Sequence, residues 1–130
     1  MSIESIRLSE SSKRQLISLK RRTGIGQWNI LCRWAFCLSL SENRQTGTPS
    51  PGANSNIEMT WRTFAGRHAE IYQAIVRSSI KSPQYCGTSE LEFVVGHIER
   101  GISRLSNMKE AGSIAGLLEI AASGSDLEAA

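Results

Sequence analysis

The chain has 130 residues, 40% of them hydrophobic and 21% charged, the size and make-up of one compact domain, either a small enzyme or a binding module. No run of about 18 apolar residues is present, which excludes a membrane-spanning helix, and Glu4, Arg7, Glu10, Lys13 and Arg14 interrupt the stretch where a secretory signal needs an apolar core, so the expected compartment is the cytoplasm. The formal charge of +3 is unevenly spread: residues 1–44 hold eight basic side chains against three acidic ones, a balance of +5, and the remainder comes to −2, which suggests an N-terminal surface facing a polyanion.

Residues 3–8 alternate well enough to predict a short strand, with Ile6 and Leu8 inward and Ser5 and Arg7 outward. A strand this short needs a partner. Ser9 is a good N-cap, Glu10 suits the positive end of a helix dipole, and Lys20, Arg21 and Arg22 suit the negative end, so a helix is expected to run to Thr23 and stop at Gly24. Ile25 is then placed to fold back onto Leu19. At 100° per residue Ser12, Leu16, Leu19 and Thr23 share one stripe, while Lys13 and Lys20 lie beside it and Arg14 and Arg21 further round, which makes one flank cationic. A second helix from Gln27 to Ser41 puts Trp28, Leu31, Ala35 and Leu38 on one face and Ile30, Trp34 and Cys37 on the opposite one. Both faces need cover. Self-association through the strand and this helix, at Ile6, Leu8, Trp28, Leu31, Trp34 and Phe36, is the expectation, and packing against later helices is the alternative.

From Glu42 to Asn56 no apolar residue exceeds Ala53 in size, which predicts a flexible connector. Ile57, Met59 and Trp61 alternate with polar residues in a possible strand before Gly66. A helix over 67–82 carries Ala69, Tyr72, Ile75, Val76 and Ile80, and Pro83 ends it. Thr88 or Ser89 caps the next helix, where Leu91, Val94, Val95, Ile98, Ile102 and Leu105 form the clearest stripe in the chain, bordered by Gly101, which would let another backbone approach closely. Residues 1–107 thus read as a single domain. A C-terminal extension over 108–130 adds a short helix around Ile114, Leu117, Leu118 and Ile120 and then a disordered tail.

Catalytic constellations are hard to assemble from these residues. Asp126 is the sole aspartate and falls in the expected tail, which is unfavourable to a carboxylate-held metal site. His68 and His97 sit on different helices without metal-ligand spacing, and His97, outside the apolar stripe, reads as a surface or interface residue. Cys32, Cys37 and Cys86 contain no C-x-x-C pair, which argues against disulfides and thiolate zinc. Cys32 and Cys37 are expected to be buried, and Cys86, in a loop, exposed. Gly24-Ile25-Gly26 lacks the buried strand and Lys-Ser/Thr of a nucleotide cradle. No metal and no cofactor are therefore expected.

A strand, a capped basic helix, a tight turn and an apolar helix form the layout of a ribbon-helix-helix unit, followed here by a C-terminal helical pair in a mainly α, oligomeric fold. In such a unit the strands of two chains pair, Ser5 and Arg7 face a DNA groove, and phosphate meets the amide-rich start of the second helix at Gly26 and Gln27. Many strand-helix-helix segments share this spacing without touching DNA.

The strings Ser5-Ile6-Arg7-Leu8-Ser9, Leu19-Lys20-Arg21-Arg22-Thr23-Gly24-Ile25 and Trp28 to Leu40, with Cys32-Arg33-Trp34-Ala35-Phe36-Cys37 at its centre, closely resemble the DndE family of DNA sulfur modification proteins. So do Asn56-Ile57-Glu58-Met59-Thr60-Trp61 and Arg100-Gly101-Ile102, and the resemblance spans residues 3–105. It implies a non-catalytic accessory protein of the DNA phosphorothioate pathway, a homotetramer that binds duplex DNA, nicked duplex by preference, and associates with the other modification proteins. Lys20, Arg21 and Arg22 match the family's basic run as phosphate contacts. Arg7, Lys13 and Arg14 join them on the charge reading alone. The alternatives are a sequence-specific ribbon-helix-helix repressor, which would read base edges, and an enzyme built on Cys86, His68 or His97.

Overall fold

A computed structural model describes residues 3–42 and 54–108. The elements, in chain order, are β1 (Ser5–Ser9), α1 (Glu10–Thr23), α2 (Trp28–Ser41), β2 (Asn54–Thr60), α3 (Trp61–Ala65), α4 (Ala69–Ser79) and α5 (Glu90–Ser106). Short 3₁₀ turns cover Gly66–His68 and Pro83–Tyr85. The fold is mainly helical, with one two-stranded sheet. The expected C-terminal helix and tail lie outside the described residues.

β1 alternates as its sequence predicts, with Ile6 and Leu8 wholly buried and Ser5 and Arg7 exposed. Its partner, however, belongs to the same chain. β2 runs antiparallel to it, placing Ser5 opposite Thr60, Ile6 opposite Met59 and Arg7 opposite Glu58, with an irregularity between Arg7 and Ser9. Ser55, Ile57 and Met59 alternate inward, so β2 supplies an apolar face of matching period, and β1 pairs without a second chain. Residues 54–56, assigned above to the connector, are therefore strand, and the Ser55 hydroxyl donates to the Leu8 carbonyl at 2.8 Å.

α1 begins and ends as its sequence predicts. The Ser9 hydroxyl accepts from the Ser12 amide, and Gly24, at φ 77°, closes the helix with its amide donating to the Lys20 carbonyl at 3.0 Å. A contact from α5 completes the N-terminus: the Glu99 carboxylate accepts from the Ser9 hydroxyl and, at 2.7 Å, from that of Ser12. A negative group thus sits where the α1 dipole is positive.

α2 is covered mainly by α5. Ala35 and Gly101 meet backbone to backbone: a Cβ added at Gly101 would lie 1.9 Å from the Ala35 carbonyl oxygen. This is the close approach anticipated for that glycine, and it settles in favour of later helices much of the cover that α2 requires. Ile6, Leu8, Leu31 and Phe36 are 0–1% exposed in the single chain. These four positions belong to the core of the single chain, not to a surface between chains, because β2, α3 and α5 already fill the space around them. Phe36 packs edge-on to Phe64 with ring centroids 5.5 Å apart. Trp28 and Trp34 are only partly buried.

The helix expected over 67–82 is shorter, Ala69–Ser79, and Trp61, expected in an extended segment, instead opens the short helix α3 before it. Thr60 caps α3, its hydroxyl accepting from the Thr63 amide at 3.1 Å. Gly66, at φ 65°, then ends α3, and α4 starts at Ala69. On α5, Ser89 is the N-cap, and Val94, Val95, Ile98, Ile102 and Leu105 are buried, but Leu91 is 44% exposed and Phe93 takes a core place.

His97 is also a core residue, 1% exposed, which corrects the surface or interface reading. Its ring fits inside because both nitrogens find partners: Nδ1 lies 2.7 Å from the Ser39 hydroxyl and Nε2 2.9 Å from that of Tyr85. Burial, reinforced by Arg100, pushes the imidazole pKa down from 6.5 to about 4. The native state therefore resists a proton that the unfolded chain accepts, and this contribution to stability is complete above pH 6.5 and lost as pH falls toward 4. The urea midpoint is expected to drop between pH 7 and pH 5, and His97→Gln to flatten that slope. An equally steep slope in the variant would assign it to other groups.

Cys32 is buried and its thiol is pushed up to about 12 by burial, whereas Cys37 is exposed, contrary to the sequence expectation, because it lies on the side of α2 that α5 leaves open. Cys86 is exposed. Cys86 is therefore expected to react with a disulfide reagent in the native protein and Cys32 only after denaturation. Three fast-reacting thiols would contradict the burial of Cys32.

Candidate nucleic-acid interface

The cationic flank of α1 follows from helix geometry: residues seven apart are about two turns apart and lie nearly in line, so Lys13 with Lys20 and Arg14 with Arg21 make two adjacent rows. Arg14, Lys20, Arg21 and Arg22 are exposed and Lys13 half-buried. None of the five has a carboxylate partner among the described residues. Lys13 donates to the Asn56 side-chain oxygen at 2.7 Å, Arg22 reaches the Ser106 carbonyl at 3.4 Å, and the Lys20 ammonium lies 4.8 Å from the centre of the Trp28 ring. An ammonium so placed keeps N–H donors for an anion.

The turn after α1 brings this flank to the start of α2. Gln27 is the N-cap residue, its side chain makes no capping bond, and no acidic residue occupies the first turn. α1, by contrast, has its N-terminus filled by Ser9 and Glu99. The first amides of α2 and its positive dipole end thus adjoin the α1 cations, with Gly26 and Gln27 exposed between them. The same place holds a cavity of about 500 Å³, lined by Lys13, Gln27, Trp28, Asn29, Asn56 and Thr63 among others.

Ser5 and Arg7 are exposed as expected, but both face Glu58. Arg7 pairs with that carboxylate at 2.7 Å, and the hydrogen bonds from Arg7 and Ser5 hold its pKa below the usual range. The structure therefore joins Lys13, Lys20, Gly26 and Gln27 into one region with Trp28 and sets Arg7 against an internal partner. Asn29, Asn56 and Thr63 are additions that sequence reading missed as site residues. For Asn56 the alternation of β2 was the available signal, whereas Asn29 on α2 and Thr63 on α3 gave none.

A second exposed feature lies on the far side of α2, where Ile30, Arg33, Trp34, Cys37 and Tyr72 surround a shallow cavity of about 330 Å³. The ion pairs of Glu42 with Arg100 at 2.9 Å and Arg104 at 2.8 Å close the C-terminal end of α2. Burial raises the Glu42 pKa, but the hydrogen bonds from Arg104 and Arg100 outweigh it and leave the group below the usual carboxylate range. Among the described residues no group of three metal-ligating side chains comes together, and no helix is long and apolar enough to cross a membrane.

A family model described as DNA sulphur modification protein DndE matches residues 5–113. Among solved structures, the chain is similar to DndE from Escherichia coli B7A, a protein involved in DNA phosphorothioation modification, with a TM-score of 0.63 and 23% identity over 81% of this chain and 99% of that one. It is also similar to a glycine-to-lysine double mutant of DndE involved in DNA phosphorothioation, with a TM-score of 0.60 and 21% identity over 81% of this chain and 98% of that one. At these identities the likeness shows the fold. No curated protein matches the sequence.

Proposed function

Because the chain belongs to the DndE family of DNA sulphur modification proteins, we propose that it serves DNA phosphorothioation as a DNA-binding accessory protein that does no chemistry itself. The observation that carries this reading is the continuity of the α1 cations with the uncapped start of α2, which together offer charge and amide donors to a phosphate backbone. Lys20 and Arg21 are the principal phosphate contacts, supported by Lys13, Arg14, Arg22 and the amides around Gly26 and Gln27. Arg7 and Ser5 have a lesser part, since Glu58 already answers them. The partners are duplex DNA, nicked duplex by preference, and the other modification proteins, in the cytoplasm.

The pairing of β1 with β2 counts against a repressor of ribbon-helix-helix type, whose reading strands come from two chains. Self-association, to a homotetramer on the family reading, would use the open side of α2 around Ile30 and Trp34. Light scattering is expected to find a multiple of the 14.3 kDa chain mass, and a folded monomer at micromolar concentration would reject that assembly.

Gel shifts with intact, nicked and sequence-varied duplexes, with the DNA afterwards run on a denaturing gel, test the functional reading. Binding to all sequences alike without new strand breaks is expected. Strong preference for one sequence would favour a repressor, and cleavage would establish an enzyme.

A further inference from the structure

The cavity beside the cationic flank has a composition that phosphate binding does not require. Of its walls, Ile57 and Met59 are buried and apolar, Trp28 is a half-buried aromatic, and Gln27, Asn29 and Asn56 carry carboxamides. Lys13 stands among them, held by Asn56 at 2.7 Å. At about 500 Å³, the space falls within the range of roughly 300–1,000 Å³ typical of small-ligand sites. A flat aromatic ring with hydrogen-bonding edges suits such walls: it stacks on an indole or lies against apolar side chains, and carboxamides meet its donors and acceptors. The one carboxylate in the lining, Glu58, is neutralised by Arg7.

We propose that this cavity receives one unstacked nucleobase of a DNA strand whose phosphates lie along α1. The inference rests on the DNA-binding reading above and adds to it a base-sized site with Trp28 as its stacking surface. Lys20, over the Trp28 ring at 4.8 Å, links the two parts, because a phosphate drawn to that ammonium would be next to the base that enters the cavity. A base held in a continuous duplex must break its stacking to enter, whereas one next to a strand break or in a single strand gives up less. The cavity therefore supplies a reason for a chain of this kind to favour interrupted duplex, and it predicts that the favour depends on residues other than the cations.

The test uses the full chain and a duplex carrying 5-iodouracil as the nucleotide at a nick, compared with the same base in the intact duplex. Irradiation is expected to yield a crosslink at Trp28 with nicked duplex and little with intact. The nicked-to-intact affinity ratio is expected to fall about tenfold in Trp28→Leu, as loss of one base–aromatic stack predicts, and to persist in Trp28→Phe. Thr63→Phe, at an exposed position in the same lining, is expected to lower the same ratio by filling the space. A crosslink confined to other residues, or an unchanged ratio in both Trp28→Leu and Thr63→Phe while DNA remains bound, would overturn the base site and leave the phosphate reading standing. Weakened binding in Arg14→Glu/Arg21→Glu, which leaves Lys20 and Trp28 in place, reports on the phosphate reading instead.

Discussion

Gly101→Ala is expected to destabilise the protein by about 3 kcal/mol, the upper end of the usual range for forcing atoms into a packed core. In an open helix the same change is favourable by about 1 kcal/mol, because alanine is the better helix former. Here the new methyl would lie 1.9 Å from the Ala35 carbonyl oxygen, 2.3 Å from its carbon and 2.7 Å from its Cα. All three are backbone atoms of α2, so no rotamer change relieves the overlap, and the two helices must separate. Separation would also disturb the Ser39–His97 hydrogen bond and the Arg100–Glu42 ion pair, which join the same helices. Urea denaturation measures the effect. A variant as stable as the parent would mean that the α2–α5 contact is looser than described.

Reversing charge at Lys20 and Arg21 together is expected to weaken duplex binding by about a hundredfold at 0.1 M salt. Each phosphate contact contributes about 0.9 to the slope of log K against log salt, so losing two removes nearly 1.8 logarithmic units at that concentration, and the new glutamates add repulsion. The loss should be alike for every sequence, because phosphates carry no base identity. Both side chains are exposed at the end of α1, and their replacement leaves the Ser12, Leu16, Leu19 and Thr23 stripe intact. The mutated residues do help to complement the negative end of the α1 dipole, an effect of about 0.3–1 kcal/mol, so circular dichroism should confirm that the fold persists. Equal affinity for parent and variant would remove the proposed DNA face.

What the sequence made legible was local. Ser9 and Gly24 bound α1 through bonds to residues at most four positions away, and Gly101 stood out because it borders an otherwise bulky stripe. β1 could be recognised as a strand, but its partner lies more than forty residues away, beyond a polar stretch that resembled a connector throughout. His97 illustrates the same limit. Its neighbours on α5 give no sign of Ser39 and Tyr85, the two distant hydroxyls that make a buried imidazole acceptable. Apolar residues on two sides of α2 likewise showed only that cover was needed, and Leu31 and Phe36 find it within the single chain, as Ile6 and Leu8 of β1 do. The cations of the candidate interface could be read from charge and helical spacing alone. The cavity could not, because α1, α2, β2 and α3 each contribute part of its wall.

Whether this chain holds duplex DNA by its phosphates is decided by fluorescence anisotropy on two duplexes of unrelated sequence over a range of salt concentrations. The same affinity is expected for both, falling steeply and linearly in log K against log salt, with a slope reduced by nearly two in Lys20→Glu/Arg21→Glu. An affinity that ignores salt, or one duplex bound orders of magnitude more tightly than the other, would contradict the phosphate reading.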